Sequence, residues 1–284
     1  MRQTSSILYI AVDSLIPARG PVAPGLDEFA AALDHRGIPA VWLTSRTRHQ
    51  LDDPRRRLAH SHPFIAEDGC GVFLPEGYFH LRPQPSPSGP EARATVRLGR
   101  FTCLPVAELQ PAASEALETL SEETGVPVVP LRSLPPRELS QNLGLPPREA
   151  ELARQRDFDE LFFFAGASQQ DIDRFLRVRG TSSIQIRRRG ALWSLAVGAN
   201  IRRCVGELSK LYDRALRSHA RSIALATTGQ ETDLFPACDR SILLTAGDGL
   251  IADTPARRGN RVMEVPLGTP ETWELVLAAL TAGR

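Results

Sequence analysis

The residue best placed to do chemistry follows the first apolar run of the chain. Residues 7–12 are uncharged, and Asp13 and Ser14 come directly after them. A short apolar run that ends at an acid and a turn is typical of a buried parallel strand. Sites in open α/β sheets lie outside the carboxyl ends of such strands. A carboxylate there can act as a nucleophile or hold a divalent cation, so we expect Asp13 to lie in the functional site.

Polar side chains also follow the second and third apolar runs. The residues are Thr44, Ser45 and Arg46 after the run 38–43, and Glu67, Asp68 and Gly69 after the run 64–66. A hydroxyl such as that of Thr44 suits either a ligand site or the cap of the next helix. The two acids before Gly69 suit either a ligand or tight-turn chemistry. The residues alone leave both interpretations open.

The composition excludes some classes of function. The chain has 284 residues, of which 42% are hydrophobic and 24% charged, and its formal net charge is +1. A chain with so little net charge has no global field that draws it to nucleic acid or to a membrane surface. No apolar run approaches the ~18–20 residues of a membrane-spanning helix. The four cysteines lie far apart without a C-x-x-C pair, which argues against zinc and favours free thiols in the cytoplasm.

The elements around these residues predict an α/β fold. Helical spacing over residues 26–36 lies between the first two apolar runs, which gives one strand–helix–strand unit. Residues 94–195 alternate strands and helices and close with a hairpin, whereas residues 200–282 return to the pattern of the first part. We therefore predict a doubly wound, Rossmann-like core over residues 1–81 and 196–284, with an inserted α+β domain over residues 82–195.

The predicted hairpin of the inserted domain carries a run of arginines. Its strands, residues 182–187 and 191–195, flank Arg188, Arg189 and Gly190. Such a run is usually a solvated, charged tip. Arginine also binds phosphate and carboxylate through two parallel hydrogen bonds, so Arg188 and Arg189 are candidates for substrate binding. We assign the aromatic residues nearby, Trp193 and residues 162–164, to the core rather than to a sugar platform.

Several segments, in chain order, resemble the mannosyl-3-phosphoglycerate phosphatases of the haloacid dehalogenase (HAD) superfamily. Residues 63–69 and 72–75 resemble the signature P-F-I-x-E-N-G…Y-L-P, and residues 145–160 resemble the cap segment S-x-E-x-A-x-x-A-x-x-R-E-[FY]-x-E. Residues 198–200 stand where those phosphatases have G-x-D-K-G, and Asp233 stands within the place of G-D-S-x-N-D-L-P. The resemblance implies a HAD core with an inserted cap, and Mg²⁺-dependent hydrolysis of a small phosphorylated sugar acid.

The chain departs from the first catalytic motif of that group, D-x-D-G-T-L. In the motif the first Asp attacks phosphorus and the second acts as general acid and base. One register places Ala11 at the nucleophile and Asp13 at the second acid. The other makes Asp13 the nucleophile and places Leu15 at the second acid. We favour the first register, in which residues 14–16 follow the motif after loss of its Gly. In both registers one carboxylate of the pair is absent.

The remaining motifs are partly retained. Thr44 fits the hydroxyl of the second motif, which binds the transferring phosphoryl group. The lysine of the third motif falls at Ile201, with Arg202 beside it, and arginine does not reproduce the compact charge of lysine. The metal-binding acid of the fourth motif falls at Gly229, whereas Asp233 fits its second acid.

The resemblance therefore implies a weakened or absent Mg²⁺ site and two alternative functions. In the first, the chain has lost most catalytic activity and serves as a ligand-binding, regulatory or assembly protein. In the second, it is a working phosphomonoesterase. The implied catalytic residues are Asp13, Thr44 and Arg202, the substrate-binding residues are Ser45, Arg46, Glu67, Asp68, Arg188 and Arg189, and the metal ligands are Asp13 and Asp233. The expected partner is a phosphorylated small molecule, and a protein partner stays open.

Overall fold

The computed structural model describes residues 5–79, 94–177, 183–227, 233–246 and 262–281. Its strands are β1 (Ser6–Ala11), β2 (Ala40–Leu43), β3 (Phe64–Ala66), β4 (Gly71–Pro75), β5 (Val96–Leu98), β6 (Phe101–Pro105), β7 (Val128–Pro130), β8 (Glu160–Phe164), β9 (Ile184–Arg189), β10 (Leu192–Val197), β11 (Arg221–Thr227), β12 (Arg240–Ala246) and β13 (Val262–Leu267). Its α-helices are α1 (Leu26–His35), α2 (Asp52–Arg57), α3 (Gln110–Thr124), α4 (Pro136–Leu143), α5 (Pro147–Arg154), α6 (Gln169–Arg177), α7 (Ile201–Leu216) and α8 (Thr272–Thr281).

The larger sheet has nine strands in the order β13-β12-β11-β1-β2-β3-β4-β6-β5. Strands from β13 to β3 run parallel, and β4, β6 and β5 continue the sheet antiparallel. In the pairing of β1 with β2, Ala11 lies opposite Leu43. The residues that follow these two strands therefore meet at the same edge of the sheet, which is the edge where α/β proteins place their sites.

Helices cover both faces of the larger sheet. Alternate residues of β1 point to opposite faces, so Leu8 and Ile10 belong to the cluster that includes residues of α1 and α8, whereas Tyr9 and Ala11 belong to the cluster that includes residues of α7. Both faces of β1 are buried, which explains its uninterrupted apolar sequence. The sheet thus holds the end of β1 in a fixed position.

The smaller sheet has four antiparallel strands in the order β7-β8-β10-β9. One of its faces packs with α3 and α6 through residues such as Leu117, Phe162 and Phe175. The other face contributes Leu161 to a cluster with Leu139 of α4. Strands β9 and β10 form a hairpin, and Gly190 with its φ of 63° makes the turn.

The α/β prediction is confirmed. Three elements were not predicted, namely α2, α4 and β6. Strand β6 pairs with β4, and β5 pairs with β6, so both strands belong to the larger sheet although they lie within the predicted inserted domain. The division at residues 81/82 and 195/196 stays a prediction. Residues 82–91 are rich in proline and serine, which predicts a linker, and they lie outside the described residues.

Two sequence-based expectations concern membranes and thiols. Among the helices that the structure describes, none combines the length and apolar character needed to cross a bilayer. All four cysteines are free and buried. The expectation of a cytoplasmic location stays a prediction.

Candidate functional site

Asp13 lies in the turn that follows β1. The N–H groups of Leu15 and Ile16 donate to the Val12 carbonyl over 3.1 and 2.8 Å, so the chain turns back just beyond the strand. This turn sets the Asp13 carboxylate against the loop that follows β2. Two strand ends that the sequence predicted to be polar are therefore brought together.

Four donors from the loop after β2 occupy the Asp13 carboxylate. The Thr44 hydroxyl and Arg46 Nε, the latter at 3.3 Å, donate to Oδ1. The Ser45 N–H at 2.8 Å and the Ser45 hydroxyl at 2.6 Å donate to Oδ2. Both oxygens therefore accept two hydrogen bonds each. The structure thus brings Thr44, Ser45 and Arg46 together around Asp13.

These contacts keep Asp13 ionised. Burial by itself would raise its pKa, but the positive charge of Arg46 and the hydrogen bonds from Ser45 and Thr44 outweigh burial and lower the pKa. The carboxylate is therefore charged at neutral pH. The Arg46 side chain is 11% exposed, and its Nη2 atom is buried without a hydrogen-bond partner in the part of the chain that the structure describes.

The hairpin strand β9 reaches this edge of the larger sheet with two arginines. Arg187 forms an ion pair with Asp233, and Arg189 forms one with Asp68. Burial lowers the pKa of Arg189, and the negative charge of nearby Asp13 opposes that effect. Residues two apart in a strand share a face, so β9 directs both arginines toward the larger sheet.

Arg188 lies on the opposite face of β9 and is not brought to the site. Its side chain is exposed, and its Nε donates to the Gly190 carbonyl at 3.0 Å. The sequence analysis placed Arg188 and Arg189 together at the tip of the hairpin. The strand instead continues through Arg189, and its alternation separates the two side chains. Arg187, which was not among the predicted site residues, takes the place expected for Arg188.

Glu67 has a structural environment rather than one open to a ligand. It is 1% exposed, and its carboxylate accepts the N–H groups of Asp157, Phe158 and Asp159 at 3.0, 2.9 and 3.0 Å. Burial and the nearby charge of Asp159 raise the pKa of Glu67 to about 7. Glu67 thus fastens the segment 157–159, which precedes β8, to the turn between β3 and β4.

Arg156 completes this buried network and contacts the site. Its guanidinium pairs with Asp159, lies 3.9 Å from Glu67, and donates from Nη2 to the Ser45 carbonyl at 2.8 Å. Burial would lower the pKa of Arg156, but Asp159 and Glu67 raise it overall. The signature segments around residues 63–69 and 145–160 therefore meet in three dimensions. Both segments are part of the sequence resemblance, which does not indicate that they are in contact.

The beginning of α7 forms a second part of the cleft. The Asn200 side chain caps the helix by accepting the Arg203 N–H at 2.9 Å. Ile201 is 6% exposed and packs against Gly69, where an added Cβ would lie 2.7 Å from the Ile201 side chain. At the place that the resemblance gives to lysine, the chain therefore has a buried apolar side chain.

Arg202 and Asp233 line a small cavity beside that helix start. The cavity has a volume of about 230 Å³ and is lined by Gln185, Arg187, Ala199, Asn200, Ile201, Arg202, Asp233 and Pro236. Asp13 is not among its lining residues. Arg202 is exposed, and no contact in the described part of the chain joins it to Asp13. The structure thus places Arg202 beside the cleft but does not add it to the group of donors around Asp13.

The residues present do not fit the Mg²⁺ site that the resemblance implies. Phosphatases of the superfamily generally use this ion, which takes oxygen ligands in near-octahedral geometry. Ala11 provides only a methyl group at the end of β1, and Asp68 and Asp233 are paired with arginines. Within the described ranges, no group of three or more His, Cys, Asp or Glu side chains could hold a metal ion. Gly229, outside those ranges, has no carboxylate to add.

Comparisons with known proteins agree with this architecture. No family model matches the sequence. The chain is 24% identical over 226 residues to a glucosyl-3-phosphoglycerate/mannosyl-3-phosphoglycerate phosphatase of Methanococcoides burtonii, which covers 80% of this chain and 78% of that protein. A HAD-superfamily phosphatase of Bacteroides thetaiotaomicron superposes with a TM-score of 0.61 at 14% identity, over 98% of this chain and 95% of the other.

A second solved structure, described as a sugar phosphatase of HAD subclass IIB, superposes with a TM-score of 0.61 at 11% identity and covers 97% of this chain and 98% of the other. At such low identity these superpositions establish the fold. The sequence matches to the phosphatases of sugar phosphoglycerates extend along most of the chain. The chain therefore has the fold of the HAD superfamily, and in sequence it is similar to the mannosyl-3-phosphoglycerate phosphatases.

Proposed function

We propose that this protein binds a small phosphorylated sugar acid in the cleft between its two sheets and does not hydrolyse it at a measurable rate. The observation that carries this proposal is the state of Asp13. Its two oxygens already accept four hydrogen bonds, and the residue two positions earlier, Ala11, has no carboxylate. The cleft retains donors for an anion and has lost acids for a metal.

The donors around Asp13 suit a phosphoryl group. The Thr44 and Ser45 hydroxyls already donate to Asp13, so the donors for a phosphoryl group are the guanidinium groups of Arg46 and Arg189. The buried Nη2 of Arg46 has no partner in the described chain. Guanidinium groups bind phosphate and carboxylate through charge-assisted hydrogen bonds, which are roughly twice as strong as neutral ones. A phosphorylated sugar acid is consistent with the names of the relatives in sequence and with the two arginines that β9 directs into the cleft.

The same residues are poorly suited to aspartyl-phosphate chemistry. That chemistry needs a carboxylate nucleophile, a divalent cation that shares its charge, and further cations for the equatorial oxygens. Here the end of β1 carries a methyl group at Ala11, and the helix start carries a buried Ile201 where a lysine would stand. Loss of single members of such a group costs several powers of ten in rate, and losses within one group are not additive.

Calorimetric titration of the full chain with 3-phosphoglycerate and with mannosyl-3-phosphoglycerate tests this proposal, together with an assay of phosphate release. We expect saturable binding without turnover, and at least tenfold weaker binding in Arg189→Gln. The matched control is Arg188→Gln, one residue away on the other face of β9, which should bind like the wild type. Absence of binding to either compound would contradict the proposal, and so would rapid phosphate release.

The second candidate function is a working phosphomonoesterase with Asp13 as its nucleophile. The lowered pKa of Asp13 favours it, because an ionised carboxylate beside Arg46 is the form that attacks phosphorus. This alternative requires turnover that Asp13→Asn abolishes while ligand binding persists. The first proposal instead expects no turnover in either protein, so one assay on both variants separates the two.

A further inference from the structure

A buried arginine lies on the far side of the larger sheet from Asp13. Arg55 of α2 is 6% exposed, and its guanidinium contacts two aromatic rings, 4.7 Å from the centre of Phe64 and 5.1 Å from that of Phe101. His60 donates from Nε2 to the Ala40 carbonyl at the start of β2, over 2.7 Å, and Arg55 donates to His60 Nδ1. This position is the amino end of the parallel strands, opposite the edge that holds the candidate site.

The partners of Arg55 carry no negative charge. Its Nε donates to His60 Nδ1 at 3.1 Å, and its Nη2 donates to the His62 carbonyl at 3.1 Å. His60 is neutral, because burial and the charge of Arg55 lower its pKa to about 3, and its ring stacks on Trp42 at 4.0 Å. In the described part of the chain, no carboxylate lies within ion-pair distance of Arg55, and Nη1 has no hydrogen bond.

Other arginines whose side chains are buried have carboxylate partners, in contrast to Arg55. The side chain of Arg156 is 6% exposed and contacts Asp159 and Glu67, and that of Arg46 is 11% exposed and contacts Asp13. The pKa of Arg156 is raised by its partners. Burial and the neighbouring charge of Arg100 lower the pKa of Arg55 to about 10, and the negative charge of Asp52 opposes them only in part. Buried charges are normally paired, because an unpaired charge that is removed from water destabilises the folded protein strongly. The rings of Phe64 and Phe101 offset only part of that cost.

A cavity of about 630 Å³ opens beside this arginine. It is lined by Asp52, Arg55, Arg56, Ala59, His60, Ser61, Pro75, Glu76, Arg100 and Phe101. Its two acids are exposed and already paired, Asp52 with Arg100 at 2.7 Å and Glu76 with Arg97 at 3.2 Å. The buried charge of the wall is therefore positive, and the volume is within the range of small-molecule sites.

We infer that this cavity is a second binding site, separate from the cleft at Asp13, for a small molecule with a phosphoryl group. The guanidinium of Arg55 supplies the buried cation, and that of Arg100 supplies an exposed one. Guanidinium groups match the oxygens of a phosphoryl group, and the Phe101 ring and the size of the cavity leave room for an organic part attached to it. Free phosphate and a phosphorylated metabolite share this chemistry, and the experiment distinguishes them.

The test is calorimetric titration of the full chain with inorganic phosphate and with glucose 6-phosphate at constant ionic strength. The variants are Arg55→Met and Arg100→Gln at the cavity, with Arg189→Gln at the cleft. We expect Arg55→Met and Arg100→Gln to weaken one binding event at least tenfold and to leave the event that Arg189→Gln removes unchanged. Tighter binding of the sugar phosphate than of free phosphate would identify a metabolite site.

Circular dichroism shows whether each variant folds. Arg100 is 64% exposed, so Arg100→Gln keeps the test decisive even if Arg55→Met does not fold. The inference would be overturned if Arg100→Gln, and Arg55→Met where it folds, gave the same isotherms as the wild type. The same conclusion follows if Arg189→Gln alone abolishes all binding, because the cleft would then be the single anion site. Neither result depends on whether the protein hydrolyses a phosphate ester.

Discussion

Replacement of Arg156 by methionine is the most informative perturbation of the network that joins the two sheets. The side chain of Arg156 is 6% exposed, and those of Glu67 and Asp159 are 0% and 2% exposed. Arg156→Met keeps much of the volume and leaves two buried carboxylates without their cation. Removal of one partner of such a pair typically costs about 3–5 kcal/mol, so we expect the free energy of unfolding to fall by about that amount.

The expected loss also depends on pH, with a sign that follows from Glu67. Its pKa is raised to about 7 in the folded protein, so stability from this group is present below the ordinary pKa of a glutamate and is lost as the pH rises through about 7. Without the positive charge of Arg156, ionisation of Glu67 in its buried position costs more. The deficit of Arg156→Met should therefore be largest above pH 7 and should shrink toward pH 5.

Urea unfolding, followed by far-UV circular dichroism at several pH values, measures this difference. The matched control is Arg154→Met, because Arg154 pairs with Glu151 on a half-exposed surface and should cost less than about 1 kcal/mol. A loss below about 1 kcal/mol for Arg156→Met, or a deficit that does not vary between pH 5 and pH 8, would refute the reasoning. The first result would mean that the network contributes little to stability, and the second that Glu67 does not change its protonation state between these pH values.

Three further predictions follow from the structure. In urea unfolding, Gly69→Ala should lower the free energy of unfolding by about 1–3 kcal/mol more than Gly37→Ala does. Both glycines have a positive φ, but only Gly69 packs tightly against the start of α7. His60, with its pKa lowered to about 3, makes the folded state lose up to about 1.4 kcal/mol per pH unit as the pH falls from 6.5 toward 3, and His60→Gln should flatten that decline in the same assay. The double variant Ala11→Asp, Gly229→Asp should bind Mg²⁺ more tightly than the wild type in calorimetric titration, because it adds two carboxylate ligands.

The sequence predicted the part of the site that depends on strand order. Apolar runs identified β1 and β2, and parallel strands end at a common edge, so Asp13 and Thr44 were expected to meet. The register that sets Ala11 opposite Leu43 agrees with that expectation. Local pattern and the general rule for α/β sheets were sufficient here, because no exact distance was needed.

Contacts that span long stretches of the chain could not be predicted in the same way. Glu67 binds N–H groups about 90 residues away, and nothing in the local sequence around residues 63–69 indicates that partner. The error at Arg188 has a different cause. The strand β9 ends at Arg189, two residues further along the chain than predicted, and neighbouring residues of a strand point to opposite faces. Arg187 and Arg189 therefore face the cleft, and Arg188 does not.

Elements that were not predicted share weak local signals. The helix α2 has six residues and contains Pro54, so its apolar spacing is too short to recognise. That helix carries Arg55, and the buried cation on the far side of the sheet was missed with it. The pattern of a sequence reveals periodic apolar faces. Arg55 is instead buried through contacts with Phe64 and Phe101, which only the folded chain brings together.

Titration of the full chain with Mg²⁺, with phosphate release from mannosyl-3-phosphoglycerate measured on the same preparation, tests the central claim most directly. The claim is that this cleft keeps donors for an anion and too few carboxylates for a divalent cation. We predict Mg²⁺ binding weaker than about 1 mM, a free energy no more favourable than about −4 kcal/mol, and no phosphate release above background. Saturable Mg²⁺ binding in the micromolar range, with phosphate release that Asp13→Asn abolishes, would contradict the claim.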